Sequence, residues 1–117
     1  MIFTLVITSS HLDNPSTAYY FAESVLEQGF KINIVFFYAD ATYLSSSYID
    51  MNTDEVNITK LWQKLAIKYR LNLIVCSGSA SRRGILAGTI AEKFSLGGLG
   101  QLIESINNAD RFIHFKR

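Results

Sequence analysis

A single cysteine, Cys76, ends the apolar run Leu71-Asn72-Leu73-Ile74-Val75 and is followed at once by Ser77-Gly78-Ser79-Ala80-Ser81-Arg82-Arg83-Gly84. The run reads as a buried strand, and in open α/β sheets ligands bind outside the carboxyl ends of the strands. A thiol at that edge is accessible, and its thiolate character sets its reactivity. Arg82, Arg83 and a helix N-terminus built on the serine-rich turn would favour the anion. The chemistry of such a group is nucleophilic attack. The opposing reading is a packed small hydrophobe, since free cysteine is among the most buried residue types. Position alone leaves both open.

Cys76 and Arg82 also have the C-x5-R spacing of cysteine-dependent phosphatases. In those enzymes backbone N–H groups and the arginine hold the phosphoryl oxygens while the thiolate attacks phosphorus, an arrangement that suits a helix N-terminus. Here Val75 stands where many of them carry histidine, and Arg83 where serine or threonine usually follows, so the pattern is weak. His11, in the first loop, lies on the edge from which Cys76 should emerge; a loop histidine without a role is the simpler reading. His114 falls in the last strand, packed or at an edge. Two isolated histidines and one cysteine do not have zinc-ligand spacing, and no metal or cofactor is expected. Gly97-Gly98-Leu99-Gly100 lacks G-x-G-x-x-G spacing and comes too late to be the first βα turn, so it reads as a tight strand-to-helix turn. Tyr38 and Tyr43 either line a groove or interface near the sheet edge or simply pack. Asp40, Asp50, Asp54 and Glu55 need only be solvated.

The elements that would position these groups alternate. Ile2 to Thr8 is a short β-branched run, and the polar stretch from Ser9 to Ser16 follows, with Pro15 suited to a helix start. Tyr19, Tyr20, Ala22, Val25 and Leu26 recur at helical spacing, and Gly29 closes that helix. Lys31 to Tyr38 is a second strand, almost continuously apolar after Asn33, as in a parallel sheet covered on both faces. Ala39 to Val56 reads as a long polar loop, Asn57 to Arg70 as a helix, and Leu71 to Val75 as the third strand, with Cys76 at its end. A short helix is expected from Ser81 through Ile85, Leu86, Ile90 and Ala91, weakened by Gly84 and Gly88. Phe94 to Leu96 forms a fourth strand, a helix holds Leu99, Leu102, Ile103 and Ile106, and Asp110 to Phe115 forms the last strand. This alternation predicts a single α/β domain over residues 1–117, doubly wound, with a mainly parallel sheet flanked by helices and right-handed crossovers.

The chain of 117 residues is 49% hydrophobic, 13% aromatic and 18% charged. The charged share is low for a soluble protein, and an apolar domain of this size invites partner subunits over its exposed patches. A net charge of +1 gives no electrostatic footprint for nucleic acid. One cysteine makes no intrachain disulfide. The opening Met1-Ile2-Phe3-Thr4-Leu5-Val6-Ile7 has no basic leader, its apolar run is short for a signal peptide, and no stretch approaches a membrane span. A cytoplasmic location is expected.

Six segments occur in a telling order: Phe36-Phe37-Tyr38, Leu61-Trp62-Gln63-Lys64-Leu65, Leu73-Ile74-Val75-Cys76, Arg82-Arg83-Gly84, Ser95-Leu96-Gly97-Gly98-Leu99-Gly100 and Ala109-Asp110-Arg111-Phe112-Ile113. Together they resemble the TusD/DsrE family of sulfur-relay proteins, from the first strand to Phe115 and most closely its TusD branch. Between Arg83 and Phe94 the chain reads as shorter than those relatives, and more serine-rich after Cys76. The resemblance implies a Rossmann-like or flavodoxin-like fold of the DsrE type, with the reactive cysteine just after the third strand, where Cys76 stands. It implies a sulfurtransferase in which Cys76 takes a persulfide sulfur from a TusA-like donor and passes it to a TusE-like acceptor for 2-thiolation of the tRNA wobble uridine. It also implies TusB-like and TusC-like companions in a heterohexamer. Arg82 is then the candidate helper of the thiolate. A non-catalytic subunit of such a complex, with Cys76 merely packed, is the alternative.

Overall fold

Five of the apolar runs pair side by side in the computed structural model, which describes residues 1–9, 17–47 and 57–116. They are β1 (Ile2–Ile7), β2 (Lys31–Phe37), β3 (Leu73–Cys76), β4 (Phe94–Gly97) and β5 (Arg111–Phe115). The sheet order is β4-β3-β2-β1-β5, and each neighbouring pair is parallel. The helices are α1 (Thr17–Glu27), α2 (Ile58–Tyr69), α3 (Ser77–Arg82) and α4 (Leu99–Asn107). From β1 to β4 the chain steps in one direction across the sheet, then returns past the whole sheet to β5. Right-handed crossovers therefore put α1, α2 and α3 on one face and α4 alone on the other.

The core divides in the same way. Alternate strand residues Phe3, Leu5, Ile7, Val35, Phe37, Leu73, Val75 and Phe94 join Tyr19, Leu26, Trp62 and Leu65 of α1 and α2 in the main cluster. Trp62 is fully buried and meets Tyr19 and Phe37 edge-on, with ring centroids 5.4 and 5.6 Å away. Burial, with Glu23 beside it, pushes the Tyr19 phenol up to about 12. The residues between them, Val6, Ile34, Phe36, Ile74 and Cys76, form a second, smaller cluster under Leu102 of α4. Each fully buried aliphatic or aromatic side chain contributes about 1.5–3 kcal/mol, so the first face supplies most of the hydrophobic stabilisation.

α4 is anchored differently. It buries none of its residues fully. Its Ser105 carbonyl instead accepts from Asn33 Nδ2 at 2.8 Å and lies 3.1 Å from the hydroxyl of Thr4, itself fully buried. The strand register shifts beside Thr4, between β1 and β2.

Most elements fall where the sequence places them, and two do not. The expected helix from Ser81 to Ala91 is absent. α3 begins directly after Cys76 and ends at Arg82, and the chain then turns through Gly84 at φ +72. That is a backbone conformation β-carbon-bearing residues rarely adopt, so the helix cannot run on to Ile85. Only a single 3-10 turn, Ala87–Thr89, follows. The first part of the expected polar loop is also ordered: Ala39–Ser45 is a 3-10 helix that buries Ala41, Thr42, Leu44 and Ser45. Hydroxyls hold it, with Thr42 Oγ1 donating to the Ala39 carbonyl at 2.8 Å and Thr59 Oγ1 of α2 to the Leu44 carbonyl at 2.6 Å.

Candidate functional site

Cys76 is the last residue of β3 and the N-cap of α3. Strand alternation sends Leu73 and Val75 into the main cluster, and Ile74 and Cys76 to the α4 side. Its strand partner on β4 is Gly97, and Gly98 is the N-cap of α4. On the other flank Phe37 pairs with Val75, so Tyr38 follows β2 at the level of Cys76. Tyr38 packs on the same cluster, its ring stacked 6.4 Å from that of Phe36. Cys76 thus sits between Tyr38 and the start of α4, at the carboxyl edge of the sheet.

The thiol is not open at that edge. Cys76 is 6% exposed, which corrects the expectation of an accessible group. The reason is which face it points to: packed on Phe36 and Ile74 beneath the α4 side, it is part of the smaller core. Gly97 lets the cover come this close. A Cβ on Gly97 would lie 2.6 Å from Ile74 Cγ2 and collide with the Gln101 side chain of α4.

The two arginines separate. Arg82 occupies the last turn of α3, exposed, and among the described residues its side chain makes no hydrogen bond or ion pair. It stands at the helix end away from Cys76. Arg83 has a structural partnership instead: Nε donates to Asp40 Oδ1 at 3.0 Å and a terminal nitrogen to the Ser79 carbonyl at 3.2 Å. Ser79, buried, accepts from the Ala39 N–H at 3.1 Å through its hydroxyl. Ala39 itself has φ +52. Ser79, Arg83, Ala39 and Asp40 therefore clamp α3 to the 3-10 helix behind the β3–α3 turn. The sequence shows Asp40 only as a solvated acid, because its partner lies 43 residues away.

The C-x5-R spacing does not build a phosphate loop. Residues 77–82 are helical, so this segment cannot wrap its amides around an oxyanion. His114 lies on β5, three strands from β3, or about 14 Å at ordinary strand spacing. Its Nε2 is hydrogen-bonded to Thr8 Oγ1 at 3.1 Å. His11 lies outside the described residues, as do Pro15, Asp50, Asp54 and Glu55. Tyr43 is exposed on the 3-10 helix. Among the described residues no three His, Cys, Asp or Glu side chains group to hold a metal ion, and no helix is long and apolar enough to cross a membrane.

What this arrangement offers chemically is one sulfur at the carboxyl edge of the sheet, beside the first residues of α3 and α4 and under a thin cover. The side chains packed over this small cluster, Tyr38 and Leu102, come from β2's exit and α4. Both carried a signal in the sequence, Tyr38 as a residue near the sheet edge and Leu102 as an apolar position of the last helix.

Comparison with known proteins adds the chemistry of the relatives. Residues 1–115 match the DsrE/DsrF-like family. The sequence is 33% identical to the sulfurtransferase TusD of Proteus mirabilis, with 98% of each chain covered. It is 38% identical to a sulfurtransferase TusD homolog of Aliivibrio fischeri over 84% of each. The 128 aligned positions of the Proteus pair exceed the 117 residues of this chain, so the relative carries insertions. Among solved structures, the ychN protein of E. coli superposes with a TM-score of 0.79 over 98% of this chain and 100% of that one, at 15% identity. That likeness is one of fold.

Proposed function

The chain belongs to the DsrE/DsrF-like family, with TusD sulfurtransferases among its relatives, and from that premise we propose that it carries sulfur as a persulfide on Cys76. The observation that supports this reading is the placement of the sole cysteine at the end of β3, with α3 starting at the next residue and α4 just beyond its strand partner. Cys76 thiolate attacks the outer sulfur of a donor persulfide. The donor's S–S bond breaks, the donor leaves as a thiolate, and Cys76 holds the sulfur as Cys76–S–SH. An acceptor thiolate then attacks that outer sulfur and expels Cys76 thiolate. No net oxidation occurs, and no second cysteine is present to attack the inner sulfur and release sulfide.

In this proposal the donor is TusA-like, the acceptor TusE-like, and the final product 2-thiolated wobble uridine in tRNA, within a reducing cytoplasm. The chain works beside TusB-like and TusC-like companions in a heterohexamer. Exposed Leu99 and Ile103 on α4 and Phe112 on β5 support a face of that kind. Arg82 meets a donor or acceptor rather than the resting thiol, since it points from the far end of α3. The burial of Cys76 favours the alternative of a structural subunit, and it sets a condition on the carrier: Tyr38 or the first turn of α4 must yield during transfer.

Intact mass after incubation with glutathione persulfide decides between them. The carrier gains one sulfur atom, loses it to reductant, and gains nothing as Cys76→Ser. A wild-type chain that stays unmodified, alone and with companion subunits added, leaves the structural reading standing.

A further inference from the structure

On the α2 side of the sheet, the face opposite Cys76, a groove of about 290 Å³ is lined by Lys60, Gln63, Lys64, Ile67, Glu92 and Lys93. Lys60, Lys64 and Ile67 follow one stripe of α2, at spacings of four and three. Lys93 enters from the turn before β4. Gln63 Nε2 donates to the Glu92 carbonyl at 2.9 Å and ties the two walls together. Among the described residues the one ion pair is Arg83 with Asp40, so none of the three lysines has a carboxylate partner.

Two further observations mark the groove. Charge is segregated between neighbouring helices: α2 carries Lys60, Lys64 and Lys68 and no acid, while α1 beside it carries Glu23 and Glu27 and no base. Lys93 has φ +76, a region that lysine rarely enters. Strained backbone of this sort concentrates at functional positions. Between the cations lies Ile67, 63% exposed.

We propose that this groove docks an acidic segment of a partner protein, its carboxylates on Lys60, Lys64 and Lys93 and an apolar side chain on Ile67. The charge complementarity fits a short peptide better than nucleic acid. No arginine or aromatic ring lines the groove for bases to stack on, whereas the exposed Ile67 gives an apolar side chain of a peptide a place to rest. A partner held here leaves the α4 side of the sheet free. The proposal is independent of the sulfur carried by Cys76, and Cys76→Ser should bind as the wild type does.

The test is an amide-shift titration of the full chain with a Glu-Leu repeat peptide, beside polyglutamate and single-stranded oligothymidylate. Shifts confined to 60–67 and 92–93, weakening as salt rises, are expected. The double variant Lys60→Glu/Lys64→Glu should bind at least about tenfold more weakly. Ile67→Ser should weaken the Glu-Leu peptide and leave polyglutamate unchanged. Lys93→Gly relieves the positive φ, so it should keep or raise the melting temperature while it lowers affinity. Shifts elsewhere, unchanged affinity in the double variant, no saturable binding, or tighter binding of oligothymidylate would each overturn the proposal.

Discussion

The two faces of the sheet share five strands and are covered to different depths. Under α1 and α2 a broad cluster runs from Phe3 to Phe94, closed by Trp62 with no exposure at all. Under α4 five buried residues suffice, one of them Cys76, and the helix is tied down by the polar contacts of Thr4, Asn33 and Ser105. α4 also leaves Leu99 and Ile103 in solvent. The dense face makes the fold stable; the thin one holds the sulfur. Local opening draws on regions with few buried apolar contacts, and in the proposed reading the buried thiol meets its donor and acceptor through such a region.

Substitution can break this contrast. Trp62→Ala should cost about 3–5 kcal/mol in urea denaturation, whereas Leu102→Ala, half-buried on α4, should cost about 1 kcal/mol. Equal losses would mean that the faces are equally packed. Gly97→Ala should cost about 1–3 kcal/mol, since the added methyl meets Ile74 and Gln101. It should also speed the reaction of Cys76 with a thiol reagent in the folded protein, by pushing α4 outward. An unchanged labelling rate would show that α4 is not what shields the thiol. Asp40→Asn sharpens the picture from the other side. It removes an ion pair whose carboxylate is 64% exposed, so about 0.2–1 kcal/mol should be lost, and less at high salt. A larger loss would make the clamp behind Cys76 a main support of the fold.

Much of this was legible in the chain. The strands show as continuous apolar runs, and α2 shows through Ile58, Trp62 and Leu65 with Asn57 as its cap, whose side chain accepts from the Lys60 N–H at 3.1 Å. The position of Cys76 at the end of β3 was legible for the same reason. α3 was not, because Ser77-Gly78-Ser79-Ala80-Ser81-Arg82 has no apolar period to read. It is fixed by Ser79 and Arg83 reaching residues 39 and 40, and such contacts leave no local trace. The burial of Cys76 was hidden likewise. It depends on which face α4 covers, and that follows from the return to β5 at the far edge. Arg82 looks like a neighbour of the thiol when residues 77–80 are read as a turn leading into a helix at Ser81, whereas a helix already runs from Ser77 to Arg82.

Trp62, the one tryptophan of the chain, has an indole N–H that is buried without a hydrogen-bond partner. Its emission should therefore lie far to the blue, and all of it comes from one place on the dense face. Red-shifted light marks loss of that core and nothing else. Loading of sulfur on Cys76, on the opposite side of β3, should pass without a change of colour, so one cuvette can report folding while the mass spectrometer reports chemistry.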